Sequence, residues 1–110
     1  MTMAWNVIYH HEVTNDLEAL GRSEARTILG VIEKRIRHGE PDKTGKPLSG
    51  DLSGCRRIRT GDTRILYQVN AEIIEVLIVA VGPRRNDEIY KRAQRNSNAY
   101  EDKDSNQIGE

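Results

Sequence analysis

The side chains best suited to chemistry are arginines and a tyrosine in the second half of the chain. They recur with the spacing of strands and turns, as Arg57, Arg59, Arg64, Arg84 and Tyr90. Alternate residues of a strand point to the same side, so Arg57 and Arg59 would share one face while Ile58 enters the core behind them. The planar donor fork of a guanidinium group matches two phosphate oxygens, and its charge persists at any physiological pH. The pattern therefore predicts a ligand with a phosphate backbone.

The charge of the chain is unevenly distributed. The totals balance, with 17 Lys+Arg against 17 Asp+Glu. Residues 43–97, however, contain eleven basic and six acidic side chains, whereas residues 1–42 contain five and seven, and residues 98–110 contain one and four. Because a local field attracts an anionic polymer even when the net charge is zero, the basic surplus around the arginines favours a nucleic-acid partner.

The first half of the chain predicts a strand followed by two helices. Apolar alternation over residues 5–9 is typical of a short strand. Residues 13–20 place apolar side chains on one helical face, and Gly21 ends that helix. Ser23 is a suitable N-cap for a longer helix that stops near Gly39. The Gly-, Pro- and Ser-rich stretch 41–54 is predicted to be a long loop.

The second half predicts three antiparallel strands and a short helix. The strands cover about residues 55–60, 63–70 and 73–82, with polar turns between them. The third strand is apolar at almost every position, which favours an interior strand covered on both faces. Asn86 would cap the final helix. The fold class is thus α+β, in the order β-α-α-β-β-β-α.

At 110 residues the chain is long enough for one domain, which we place at residues 1–97. The acidic stretch 98–110 is predicted to be a disordered tail. The single Cys55 cannot form an internal disulfide and is interpreted as a packing residue. The longest apolar run, Val76–Val81, is too short to span a membrane, so a cytoplasmic protein is expected. His10, His11 and His38 lie outside the arginine–tyrosine pattern, His10-His11 has no acidic partner at ligand spacing, and no metal or other cofactor is indicated.

The order of these motifs resembles the RelE/ParE superfamily of type II toxins. The resemblance covers roughly residues 5–95 and rests on Lys46-Pro47-Leu48, the arginine-rich segment from Arg57 to Tyr67, Val81-Gly82 followed by two arginines, and Tyr90. It implies a toxin with a cognate antitoxin protein as partner. Two activities occur on this fold: ribosome-dependent cleavage of mRNA in the RelE branch, and poisoning of DNA gyrase in the ParE branch.

The resemblance also implies the site residues. RelE-like enzymes use basic residues on the sheet, matched here by Arg57, Arg59 and Arg64, an arginine after the last strand, matched by Arg84, and a C-terminal tyrosine, matched by Tyr90. ParE-like toxins usually lack this complete set, so its presence favours the nuclease branch. Further basic residues would contact RNA or the 70S ribosome: Lys43, Lys46, Arg56, Arg85, Lys91 and Arg95. The free toxin is expected to be a monomer.

The implied reaction is attack of a ribose 2'-OH on the adjacent phosphate in the ribosomal A site, giving a 2',3'-cyclic phosphate and a 5'-OH. Arginines suit stabilisation of the phosphorane but are poor general bases, because their pKa exceeds about 12. Tyr90 would orient or deprotonate the 2'-OH if neighbouring cations depress its pKa, and Arg84 would assist the leaving group. Three other interpretations stay open: a gyrase inhibitor, a plain nucleic-acid-binding module, and a solvated sheet face.

Overall fold

The computed structural model describes residues 4–83 and 88–97, which form a mixed five-stranded sheet with helices on both faces. The elements are β1 (Asn6–Tyr9), α1 (His11–Leu20), α2 (Arg22–Val31), β2 (Lys46–Pro47), β3 (Cys55–Thr60), β4 (Thr63–Asn70), β5 (Glu75–Pro83) and α3 (88–97). The strand order is β1-β5-β4-β3-β2, with β1 parallel to β5 and all other pairs antiparallel. The predicted α+β class and its antiparallel meander are confirmed.

The two helices after β1 form a hairpin. Gly21 separates them with a φ of 92°, a conformation that glycine adopts without a steric penalty. The second helix does not end at Val31 but continues as a π-helical segment, Ile32–Arg37, in which the amide of His38 donates to the carbonyl of Glu33 at 3.0 Å. The predicted helix is therefore correct in extent, but its last turn is wider than an α-helical turn.

Strand β5 lies between β1 and β4 and is buried from Val76 to Gly82, as its apolar sequence predicted. It begins at Glu75 rather than at residue 73, because residues 71–74 form a turn in which Ile74 has a φ of 52°. A β-bulge interrupts its pairing with β4: Leu66 pairs with Ala80 and Tyr67 with Ile78, so Val79 is the extra residue.

The predicted loop 41–54 contains a short strand that the sequence analysis missed. Strand β2 pairs with the start of β3, placing Lys46 opposite Arg57. Gly45 precedes it with a φ of 75°, and a Cβ atom there would lie 2.5 Å from the carbonyl oxygen of Arg57. Only glycine allows this close approach, which attaches the loop to the edge of the sheet.

Two apolar clusters cover the two faces of the sheet. The helical hairpin buries the larger one, which includes Ile28, Ile32, Ile36, Ile58, Ile65, Tyr67 and Ile78. Helix α3 buries the other, which consists of Leu66, Leu77, Val79, Ala80, Ile89 and Ala93. In the described part of the chain, no helix is both long and apolar enough to cross a bilayer. The tail predicted at 98–110 lies outside the described residues.

Candidate active site on the arginine-bearing strands

Strands β3 and β4 place three arginines on the face covered by α3. Arg57 lies opposite Leu66, and Arg59 lies opposite Arg64. Leu66 packs against the apolar side of α3, whereas Ile58 is buried on the helical-hairpin side. Because directly opposed residues share a face, Arg57, Arg59 and Arg64 all project toward the side of the sheet where α3 lies.

Tyr90, on α3, meets two of these arginines. Its hydroxyl oxygen accepts a hydrogen bond from Nη1 of Arg57 at 3.4 Å and another from Nη1 of Arg64. Arg64 is only 9 % exposed, and Tyr90 is partly buried. Two cations on neighbouring strands thus donate to one oxygen atom, the hydroxyl of a tyrosine on α3.

The surroundings of Tyr90 favour its ionised form. Burial by itself would raise the pKa of the phenol, but the hydrogen bonds from Arg57 and Arg64 and the charges of both guanidinium groups outweigh it. The net result is a pKa of Tyr90 below its ordinary value of 10.0. A lower pKa increases the fraction of Tyr90 that is phenolate at a given pH, and the phenolate is the form that accepts a proton.

Positive charge surrounds Tyr90. The four ion pairs found among the described residues involve other cations, so they do not neutralise this charge. Arg59 and Lys46 are exposed on the same face as Arg57. Within the described part of the chain, Nε of Arg57 and Nε of Arg64 are buried without a hydrogen-bond partner. We call Lys46, Arg57, Arg59 and Arg64 the cationic face; its positive charge and the exposed groups of Lys46 and Arg59 suit a phosphate group.

The remaining basic residues are placed differently. Arg56 lies on the hairpin side, where its Nε donates to the carbonyl of Thr44 at 2.8 Å and its Nη2 to that of Gly45 at 3.3 Å. Lys43 pairs with Glu40 at 3.3 Å, Arg95 pairs with Glu12 at 2.9 Å, and Lys91 is exposed on α3. Arg84 and Arg85 lie outside the described residues. The structure therefore brings together Arg57, Arg64 and Tyr90, with Arg59 and Lys46 beside them, but not Arg56.

Two polar residues that hold α3 in place were not identified from the sequence. Asp16 of α1 is only 5 % exposed; its Oδ2 accepts from the amide of Val81 at 3.0 Å and its Oδ1 from Arg92. Asn96 donates from Nδ2 to the carbonyl of Val79, the bulged residue, at 2.8 Å. A signal for Asp16 was present, since a charge three residues after Val13 falls within the apolar stripe of α1.

Exposure differs within the site: Lys46 and Arg59 are exposed, whereas Arg64 is only 9 % exposed. A cavity of about 310 Å³ lies toward the other end of the β4–β5 pair, lined by residues that include Gln68, Glu72 and Leu77. No group of three or more His, Cys, Asp or Glu side chains suited to a metal ion occurs among residues 4–83 and 88–97. Exposed cations such as Lys46 and Arg59 suit a polymer, which is held along its backbone.

The fold and the basic site define a class, the small α+β toxins of type II systems. The chain belongs to the family described as the ParE toxin of the type II toxin-antitoxin system parDE, whose family model matches residues 7–88. No curated protein gives a significant match to the sequence.

Solved structures agree with this assignment. The RelBE2 toxin-antitoxin complex from Mycobacterium tuberculosis contains a chain 26 % identical, with a TM-score of 0.69, over 78 % of this chain and 98 % of that one. The archaeal RelE-RelB complex from Pyrococcus horikoshii OT3 contains a chain 27 % identical, with a TM-score of 0.58, over 74 % and 97 %. A double Arg-to-Ala variant of the E. coli toxin RelE shares the fold, with 21 % identity and a TM-score of 0.70 over 84 % and 97 %. The predicted superfamily is confirmed.

Proposed function

We propose that this toxin is a ribosome-dependent endoribonuclease that cleaves mRNA in the ribosomal A site. The observation that carries the proposal is the convergence of Arg57 and Arg64 on the hydroxyl of Tyr90. This arrangement joins a phenol of lowered pKa to two guanidinium groups that form none of the ion pairs found among the described residues. The likeness to toxins named RelE, at 26 % and 27 % identity, also supports it.

In the proposed reaction Tyr90, as the phenolate, takes the proton of the ribose 2'-OH. The 2'-oxygen forms a bond to the adjacent phosphorus while the bond from phosphorus to the 5'-oxygen breaks. Arg57 and Arg64 stabilise the additional negative charge of the phosphorane, and Arg59 binds a neighbouring phosphate. The leaving 5'-oxygen takes a proton from water, and we assign to Arg84 the stabilisation of that oxygen by analogy with RelE-like toxins.

The exposed cations of the site give the ribosome a role. Contacts of Lys46 and Arg59 with phosphates would hold a flexible RNA without fixing the angle between the 2'-oxygen and the leaving oxygen. A ribosome that holds the A-site codon rigidly would supply this orientation, which is worth several powers of ten in rate. Exposed cations near Tyr90, namely Lys46 and Lys91, would contact the RNA or the ribosome.

We also propose a cognate antitoxin as the protein partner, because the two neighbours above come from RelBE2 and RelE-RelB complexes. An antitoxin that covers the cationic face would remove the donors that the reaction needs. We accordingly propose that the toxin acts in the cytoplasm.

The test is primer extension on mRNA in a purified translation reaction, with and without ribosomes. Wild-type protein is compared with Tyr90→Phe, with Arg84→Ala, and with Tyr9→Phe as a matched control that removes a hydroxyl elsewhere. We expect cuts within A-site codons that require ribosomes, persist in the control, and disappear in the other two variants. Cuts that appear without ribosomes, or that are unchanged in Tyr90→Phe, would contradict the proposal.

A second candidate is inhibition of DNA gyrase, which the match to the ParE family favours. For this activity the domain would act by binding, and Arg57, Arg84 and Tyr90 would be dispensable. If mRNA stays intact in the translation reaction, a DNA supercoiling assay with purified gyrase decides. Inhibition that survives in Tyr90→Phe would establish the binding mechanism.

A further inference from the structure

The position of Tyr90 depends on how α3 is attached to the sheet. Ile89 and Ala93 pack against the apolar cluster on this face. Gly82 lets the helix approach closely, since a Cβ atom there would lie 3.3 Å from Nη2 of Arg92 and 3.3 Å from Cδ1 of Ile89. Apolar contacts of this kind hold a helix down but are non-directional, so they leave its rotation about its own axis weakly fixed.

Asp16 supplies a directional contact at the same place. Its carboxylate accepts a hydrogen bond from the amide of Val81 at 3.0 Å and forms an ion pair with the guanidinium group of Arg92. The side chain of Asp16 is 3 % exposed and that of Arg92 is 25 % exposed, so water screens the pair little. One carboxylate thus joins α1, the end of β5 and α3.

Arg92 and Tyr90 lie on nearly opposite sides of α3, because two residues correspond to a rotation of about 200° around a helix. Asp16 holds the helix on one side, while Arg57 and Arg64 hold Tyr90 on the other. Two directional contacts at nearly opposite points fix the rotation of a helix, which a single contact does not.

We propose that Asp16 is a positioning residue that, through Arg92 and Val81, sets the orientation of α3 and thereby places the hydroxyl of Tyr90 against Arg57 and Arg64. The inference rests on the proposed nuclease function for its catalytic consequence. In sequence, Val81 and Arg92 flank the segment that contains Arg84, so the same carboxylate anchors both ends of the stretch that carries two proposed site residues.

The variants are Asp16→Asn, which removes the charge but keeps the size, and Arg92→Ala, which removes the partner from the α3 side. If Asp16→Asn does not fold, Arg92→Ala still tests the inference, because the Arg92 side chain is partly exposed. Glu12→Gln is the matched control, since it weakens another ion pair between α1 and α3, the exposed contact of Glu12 with Arg95. Surface pairs of this kind contribute little to stability.

The first readout is titration of the tyrosines by ultraviolet absorbance on the purified full-length toxin, with Tyr90 assigned by its absence in Tyr90→Phe. We expect the pKa of Tyr90 to rise toward its ordinary value in Asp16→Asn and Arg92→Ala, because the phenol moves away from Arg57 and Arg64. The second readout is single-turnover mRNA cleavage on programmed ribosomes. We expect a rate about tenfold lower, with an unchanged half-saturating ribosome concentration, because orientation rather than binding is impaired. The control is expected to match wild type in both.

A purely structural role predicts a different result: a lower unfolding midpoint, with the Tyr90 titration and the rate per folded molecule unchanged. That result in both variants would overturn the inference. The titration needs no ribosome, so it also separates the two proposals. If wild type does not cleave mRNA but Asp16→Asn still raises the pKa of Tyr90, the positioning role stands and the nuclease proposal fails.

Discussion

Arginines of β3 and β4 meet a tyrosine on each face of the sheet, and the two clusters differ in whether their hydrogen-bond donors have acceptors. On the α3 face Arg57 and Arg64 meet Tyr90. On the helical-hairpin face Arg56 and Tyr67 lie directly opposite each other on neighbouring strands. The residue types are the same, and Arg56 and Arg57 are adjacent in sequence.

In the cluster of Arg56 and Tyr67, donors are matched by backbone acceptors. Arg56 donates to the carbonyls of Thr44 and Gly45. The Tyr67 hydroxyl donates toward the carbonyls of Pro41, at 2.9 Å, and Thr44, at 2.7 Å, and its side chain is fully buried. Burial raises the pKa of Tyr67, despite the charge of Arg56 nearby. This cluster attaches the loop 41–45 to the sheet.

In the cluster of Arg57, Arg64 and Tyr90, donors exceed acceptors. Two cations share one phenol oxygen, and the Nε atoms of both arginines have no partner within the described residues. The two tyrosines therefore have pKa values shifted in opposite directions. The same two residue types thus have matched donors on one face of the sheet and an excess of donors over acceptors on the other.

The largest expected effect comes from removing each tyrosine hydroxyl in turn. Tyr90→Phe should lower ribosome-dependent mRNA cleavage on the order of 10²- to 10⁴-fold, because it removes the proposed general base. Tyr67→Phe should leave the rate per folded molecule unchanged but lower the free energy of unfolding by about 1–3 kcal/mol, because the buried carbonyl of Pro41 loses the hydrogen bond from the Tyr67 hydroxyl. Single-turnover cleavage and chemical denaturation measure the two effects. Equal losses of rate in the two variants would show that the clusters are not functionally different.

The next effect concerns the arginines. Arg64→Gln should lower the cleavage rate about 100-fold, since it removes a cation that stabilises the phosphorane. Arg56→Gln should instead lower the unfolding midpoint, because the carbonyls of Thr44 and Gly45 lose their hydrogen bonds from Arg56, with little change in rate. The same two assays apply, and a loss of rate in Arg56→Gln at full folding would contradict the assignment of Arg56 to structure.

The opposite pKa shifts predict opposite dependences on pH. The pKa of Tyr90 is lowered in the folded state, so its contribution to stability is present above about pH 10 and is lost as the pH falls through the folded-state pKa. The pKa of Tyr67 is raised, so its contribution is complete below about pH 10 and is lost as the pH rises through the folded-state pKa. Cleavage should rise with pH to a plateau above the pKa of Tyr90, and Arg57→Gln should move this rise to higher pH.

Denaturation curves from about pH 8 to pH 11 test the stability part. Compared with wild type, the free energy of unfolding should fall less steeply with rising pH in Tyr67→Phe and more steeply in Tyr90→Phe. Curves of identical shape for the three proteins would mean that neither tyrosine changes its pKa on folding.

Much of the fold followed from local sequence patterns. The strand periodicity of Arg57, Ile58 and Arg59 and the apolar run of β5 predicted the meander, and Gly21 predicted the break between the helices. Strand β2 was missed because a two-residue strand has no periodicity and is held by tertiary contact with β3. The π-helical segment was missed because its apolar side chains, such as Ile32 and Ile36, also fit an α-helix.

The residue types of the candidate site were predictable from the sequence, but the hydrogen-bond partner of each side chain was not. Sequence placed Arg57 and Tyr90 among the site residues, yet nothing local shows that Arg56 binds loop carbonyls while Arg57 binds a tyrosine on α3. The role of Asp16 depends on a partner 76 positions away, Arg92, and on the packing of α3 against β5. Such contacts are decided by tertiary structure, which single-sequence periodicity does not report.

The smallest expected effect tests whether the RNA is attracted by the cationic face in particular or by the total charge of the chain. Lys46 is exposed and lies opposite Arg57. Lys46→Ala should therefore weaken the affinity for ribosome-bound mRNA severalfold without lowering the saturated rate, and it should reduce the salt dependence of binding by about one phosphate contact. Lys34→Ala, which removes an exposed charge from the helical layer, is the control and should leave both unchanged. Titration of the toxin against programmed ribosomes at several salt concentrations measures the difference. Equal effects of the two substitutions would mean that net charge attracts the RNA, whereas an effect of Lys46→Ala alone would assign that attraction to the face on which Arg57, Arg64 and Tyr90 meet.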